Sequence, residues 1–276
     1  MKKLKLMLGL ALATMAAVSC GTKEEAQKML VLYYSQTSNT KTVAQEIAAR
    51  LGADIEEIVP VTPYDGDFQA TIGRCMQERE QGVTPEILPV KADVAKYDVI
   101  FLGYPVWFGT FAPPVAAFLS QADLSGKKVV PFCTFGSGGL ESSTKDLAEK
   151  QPQAEILPGY GVRAARMAAV KKEVDQFLKA GCFLEGEYFQ PEAFPEQQPV
   201  SEADTVIFNA AVGDYPMIHA AAKTVASRPL PDGMEYLFTA VDLPCEGAPD
   251  MPPAGEMRIY ITVTEGEAPV FTRVVR

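Results

Sequence analysis

The chain has little that can hold a metal or assemble a charge-relay set. Its single histidine, His219, falls near the C-terminal end, so no Ser-His-Asp or Cys-His set can be built from the first half. Beyond Cys20 the cysteines are Cys75, Cys133, Cys182 and Cys245, with no CxxC spacing, which argues against zinc or thioredoxin-type chemistry; no metal is expected. Most read as small buried hydrophobes, with a Cys182–Cys245 bridge open as an alternative outside the cytoplasm. Positive charge is also short: 25 Lys and Arg face 35 Asp and Glu, a net −10, which repels nucleic-acid phosphates. No GK[ST] phosphate loop, internal repeat or low-complexity tract is present.

At the N-terminus Lys2, Lys3 and Lys5 precede an apolar run, Leu6 to Ala17, too short to span a bilayer. The run ends in Ala17-Val18-Ser19-Cys20. This resembles a bacterial lipoprotein signal, and the resemblance implies cleavage before Cys20, lipid on its thiol and a place in the cell envelope outside the cytoplasm. Residues 1–20 are then a signal peptide and 21–28 a polar tether, and acyl chains supply the membrane contact.

From Met29 short apolar runs alternate with helical periodicity, as in βαβ units around a parallel sheet. Met29 to Tyr34, Val99 to Leu102 and Val129 to Cys133 are apolar on both faces, as strands covered on both sides must be. Weaker runs at Ile55 to Val59 and Glu155 to Leu157 complete five strands. Val43, Ile47 and Leu51 share a helical face, as do Ile72, Cys75 and Met76 behind an Asp67 cap. Pro113 and Pro114 suit the first turn of a helix carrying Val115, Phe118 and Leu119. Leu140 with Leu147 marks another, and Val170, Val174, Phe177 and Leu178 form a stripe ended by Gly181. The expected architecture is therefore α/β, a doubly wound five-stranded parallel sheet over 29–185. A proline-rich linker, 186–204, leads to a small α+β domain, 205–276. There the alanine-rich stretch Met217 to Ala226 reads as helix, and Glu235 to Val241, Arg258 to Thr264 and Val270 to Val275 as antiparallel strands, the last two joined at Glu265-Gly266-Glu267.

Three segments carry the chemistry. Ser35, Gln36, Thr37, Ser38, Asn39 and Thr40 lie between the first buried strand and an amphipathic helix, where backbone N–H groups, hydroxyls and the helix dipole can hold a phosphate without lysine or arginine. Pro105, Val106, Trp107, Phe108 and Gly109 follow the third strand, and Trp107, the sole tryptophan, offers a flat aromatic face. Thr134, Phe135, Gly136, Ser137, Gly138 and Gly139 make a glycine-rich bend whose backbone a ligand can approach closely.

With these residues, "VLYYSQTSNTKTVAQEIA" and "YDVIFLGYPVWFGTFAPPVAAFL" resemble the first βα unit and the flavin loop of flavodoxins. The resemblance implies FMN: its 5′-phosphate on residues 35–40, its isoalloxazine against 105–109 and its pyrimidine edge at 134–139. Ser38 stands where the family has glycine, and if φ is positive there serine costs about 1–2 kcal/mol. The likeness also implies that a carbonyl near Gly109 turns to meet reduced flavin N5. The function expected is electron transfer to an unidentified redox partner protein or small acceptor, with acidic surroundings lowering the potential. An NAD(P)H-dependent quinone reductase and an FMN-less envelope binding module are the alternatives. The C-terminal stretch loosely resembles small cystatin-like modules.

Overall fold

The computed structural model describes residues 27–64, 67–213, 215–243 and 255–276. Residues 1–20, with the expected signal segment and Cys20, and Cys245 lie outside these residues.

The first unit runs β1 (Met29–Tyr33), α1 (Asn39–Leu51), β2 (Asp54–Glu57), α2 (Phe68–Gln81), β3 (Val99–Trp107), β4 (Thr110–Phe111), α3 (Pro113–Gln121), β5 (Lys128–Phe135), α4 (Leu140–Lys150), β6 (Glu155–Ile156), β7 (Tyr160–Arg163) and α5 (Val170–Ala180). Its sheet has the order β2-β1-β3-β5, and β6 and β7 share the fifth position, pairing with the beginning and the end of β5. All these pairings are parallel. The order reverses between β1 and β3, which opens a crevice at the C-terminal strand ends.

Continuous apolar sequence in the strands is explained by two cores. On one face Val31, Phe101, Val130 and Phe132 pack beneath Val43 and Ile47 of α1 and Val174 and Leu178 of α5. On the other, Leu30, Leu32, Ile100, Leu102 and Tyr104 meet Val115 and Phe118 of α3 and Leu147 of α4. Asp67 caps α2 as expected, accepting from the Gln69 N–H at 2.8 Å. The buried stripe of α2 is Thr71 and Cys75, however, and Met76 is exposed.

The second unit runs β8 (Gln198–Pro199), α6 (Glu202–Val212), β9 (Ala220–Leu230), β10 (Gly233–Asp242), β11 (Glu256–Thr264) and β12 (Val270–Val275). It forms an antiparallel sheet, β12-β11-β10-β9-β8, with α6 packed through Phe208 and Val212 onto Phe238, Ile259, Ile261 and Phe271. Two expectations are corrected here. The alanine-rich stretch is not helical but enters β9, paired with β10 on one side and β8 on the other; tertiary pairing overrides alanine's helix propensity. The stretch 186–204 also contains β8 and the start of α6, whose capping box joins Ser201 to Asp204.

Candidate cofactor site

Tyr34 ends the buried course of β1, its N–H donating to the Gly103 carbonyl of β3 at 3.0 Å. The chain then turns through Ser35, Gln36 and Thr37 to Ser38, which stands in the left-handed region at φ 68, ψ −5 as the N-cap of α1. Its side chain makes no capping bond, and the first turn of α1 holds no acidic residue. The leading N–H groups of a helix have no intrahelical acceptor, so they face this turn together with the positive end of the dipole. Ser35 Oγ is buried with no hydrogen-bond partner, a state that ordinarily costs about 1–3 kcal/mol. Gln36 reaches Thr71 Oγ1 at 2.8 Å, and Thr37 and Ser38 are exposed.

The second segment differs from its expected form. Residues 105–107 do not leave the sheet as a loop: β3 continues through Trp107 and folds back on β4, pairing Val106 with Phe111 and Trp107 with Thr110. Phe108 (φ 52) and Gly109 (φ 79) form the two-residue turn, both with positive φ, as a tight hairpin matching strand twist requires. Pairing with Thr110 thus fixes the backbone of Trp107. Tyr34 and Tyr64 meet the indole at 5.9 and 5.2 Å between ring centroids, both edge to face. Tyr64 is fixed in turn by Glu78 and by the Arg74 guanidinium 3.9 Å over its ring. Burial pushes both phenols far above the ordinary tyrosine value, Tyr64 further through Glu78, so they stay neutral in this aromatic nest.

The third segment ends β5. Thr134 Oγ1 lies 2.8 Å from Thr40 Oγ1 in a buried hydrogen bond that ties this strand end to the first loop. Gly139 presses on the hairpin: a Cβ there would come within 2.5 Å of Val106 Cγ1. Ser142 Oγ donates to the Gly109 carbonyl, so any turning of that carbonyl must break this bond. All three segments therefore meet at one rim. Gly136 and Gly138, read from sequence as making room for a ligand, face the second unit instead. A Cβ on Gly138 would lie 2.0 Å from the Val274 carbonyl oxygen, and one on Gly136 2.8 Å from Tyr215 Oη.

A family profile described as flavodoxin matches residues 28–178, more than half of the chain. The chain belongs to the flavodoxin family. A candidate flavoprotein from Bacteroides eggerthii is similar in structure at 28% identity and a TM-score of 0.50, covering 56% of this chain and 97% of its own. A Lactobacillus acidophilus flavoprotein solved in complex with FMN is 25% identical, covers 53% and 97% of the two chains, and gives a TM-score of 0.46. Among sequences, an NAD(P)H dehydrogenase (quinone) of Azorhizobium caulinodans is 33% identical over 129 residues, and one of Gluconacetobacter diazotrophicus 32% over 99. These matches take in 42% and 34% of this chain and 61% and 46% of the relatives, so the chain spans about half their length.

The second unit lies beyond the family match. His219, in that unit, is exposed, and among the described residues no three His, Cys, Asp or Glu side chains form a metal-sized group. Cys75 and Cys133 are buried, and burial raises both thiols, which disfavours the reactive thiolate. Sequence reasoning missed Tyr34, Tyr64 and Arg163 as neighbours of the site. Tyr34 was within reach, as it directly precedes the first loop.

Proposed function

We propose that the chain binds one FMN at this rim and carries electrons in the cell envelope. The observation behind this reading is the convergence of three strand-end segments, tied by the Thr40–Thr134 bond and the Val106–Gly139 contact, the first of which carries a buried hydroxyl, Ser35 Oγ, that lacks a partner. A phosphate would supply that missing acceptor. It would also meet the N–H groups of the first turn of α1, beside the exposed Thr37 and Ser38. Pro105 to Gly109 would flank the ring system, and 134–139 would bound its pyrimidine edge.

Bound flavin supplies one- and two-electron redox chemistry. The protein's part is positional. Hairpin pairing and two tyrosine edges hold Trp107, α1 offers amides, and the neutral phenols bring no titrating charge near pH 7. Residues 1–20 would direct export, with lipid on Cys20 tethering the unit to a membrane.

The deciding measurement is the visible spectrum of freshly purified protein, followed by mass identification of the chromophore released on denaturation. FMN near one equivalent supports the reading; colourless protein that stays colourless after reconstitution with excess FMN overturns it. Anaerobic dithionite titration then tests the carrier role, which requires resolvable one-electron steps.

The names of the two dehydrogenase relatives favour a second reading, NAD(P)H-dependent quinone reduction. A cleft of about 450 Å³ beside Trp107, lined also by Arg79, Val83, Phe111 and Pro113, is large enough for a small ring. Rapid bleaching of the flavin by NADPH, with turnover on added quinone, would select this reading over the carrier.

A further inference from the structure

Arg163, the last residue of β7, is 8% exposed, yet among the described residues no carboxylate lies within ion-pair distance of it. Burying a cation is costly unless hydrogen bonds and aromatic faces replace its water. Here Nε donates to the Gly136 carbonyl at 2.7 Å and Nη1 to the Phe271 carbonyl at 2.9 Å. The guanidinium also lies 3.4 Å from the Phe271 ring centroid and 5.1 Å from that of Tyr215. One carbonyl belongs to the 134–139 segment and the other to β12. A single side chain therefore staples the third wall of the site to the second unit.

A second tie is independent of it. β12 is the edge strand of its sheet, and its outward Val274 N–H donates to the Ser137 carbonyl at 2.7 Å. The 134–139 segment thus covers an edge that would otherwise be open to mispairing. Gly138 permits the approach by having no Cβ. Meanwhile Thr134 bonds Thr40 in the first loop, and Gly139 contacts Val106 in the hairpin. The segment gripped by the second unit is therefore the one that touches both other walls.

We propose that the second unit is a clamp on the cofactor site, with Arg163 as its positioning residue, so that FMN binding and docking of β12 strengthen each other. The proposal rests on the FMN reading above. Coupling between two equilibria is reciprocal: whatever factor docking adds to FMN affinity, FMN adds to docking.

The test uses the full chain. Deuterium uptake by a peptide covering 270–276 is followed with and without saturating FMN, and FMN dissociation constants are measured for Arg163→Gln, Arg163→Lys and Val274→Pro. Val274→Pro removes the outward N–H, which does not point into the β11–β12 ladder, but it also replaces a buried core side chain, so a loss of affinity in this variant counts only beside FMN-dependent protection in the wild type. Expected are at least about fivefold slower uptake with FMN and about 5- to 50-fold weaker binding in Arg163→Gln and Val274→Pro, within the usual range of coupling. Arg163→Lys, which restores the cation and one donor, recovers part of the loss.

If the wild type binds FMN but uptake over 270–276 is unchanged, the clamp is refuted, even where variants bind weakly, because packing damage alone gives no FMN-dependent protection. Wild-type affinity in both variants refutes it as well. If Arg163→Gln does not fold, Val274→Pro and the wild-type exchange decide. Failure of the wild type to bind FMN at all instead removes the FMN reading, and the coupling with it.

Discussion

Replacing Ser38 by glycine should make the protein more stable. Ser38 stands at φ 68 with an ordinary L side chain, and the left-handed region costs such a residue about 1–2 kcal/mol. Glycine removes that cost but gives the unfolded chain more freedom, returning about 0.4–1 kcal/mol. An N-cap serine is normally worth a few tenths over glycine through its side-chain bond, but Ser38 makes no such bond. The net expectation is a gain of about 0.5–1 kcal/mol, or roughly 1–4 °C in Tm for a unit of this size. Ser38→Ala is the control: it removes the hydroxyl and keeps the Cβ, so it should stay within about 0.5 kcal/mol of wild type. Urea unfolding without FMN, followed by far-UV circular dichroism, reads both variants. If Ser38→Gly is less stable than wild type, or if Ser38→Ala loses more than about 1 kcal/mol, the hydroxyl is holding the turn and the strain argument is wrong.

Ser35→Ala should have opposite effects on the two states. Without FMN it relieves a buried hydroxyl that has no partner and leaves stability unchanged or raised by up to about 1 kcal/mol; with FMN it removes a donor to an anion and weakens binding roughly tenfold or more. Equal affinity in wild type and variant would place the phosphate elsewhere. Trp107 is the sole tryptophan, so FMN should quench its emission, and Trp107→Ala should weaken FMN by about 1–3 kcal/mol in titration calorimetry while losing the Tyr34 and Tyr64 contacts. Acid should loosen the junction between the units, where Lys172 of α5 pairs with Asp232 of the β9–β10 turn. The hydrogen bond from Lys172 holds the Asp232 carboxyl below its ordinary value, so its contribution is complete above the unfolded pKa of about 3.9 and fades as pH falls below it. Proteolysis of 186–197 should accelerate below about pH 4, and less so in Asp232→Asn; pH-independent cleavage would count against this.

The parallel sheet was legible because strands covered on both faces must be apolar throughout, a pattern that few other elements share over so few residues. β7 is hard to read from sequence because Gly159 precedes it and Gly161 interrupts it; a Cβ on Gly159 would strike the Pro131 carbonyl oxygen at 2.5 Å, and one on Gly161 the Phe135 ring at 2.7 Å. The helix α6 was hidden by its place beside a proline-rich stretch, although Ser201 and Asp204 carried a capping signal. For β9, alanine pointed to helix. Only the pairing with β10 and β8 decides it as a strand, and such long-range partners are not written in the local sequence.

The 134–139 segment shows a subtler limit. Its glycines correctly announce that something comes too close for a side chain, but a glycine does not say what comes close. A flavin edge, the Val274 carbonyl and the Val106 side chain impose the same demand on sequence, and for Gly138 and Gly139 the structure gives the latter two. A buried arginine is ambiguous in the same way, since Arg163 could equally have faced a carboxylate or a ligand. What distinguishes the cases is the outward N–H of an edge strand, which must find an acceptor once buried and finds one in Ser137. That need belongs to the second unit, yet it is met by a carbonyl in the first. A variant at β12 that removes this N–H therefore acts on the 134–139 segment through the backbone, at the Ser137 carbonyl.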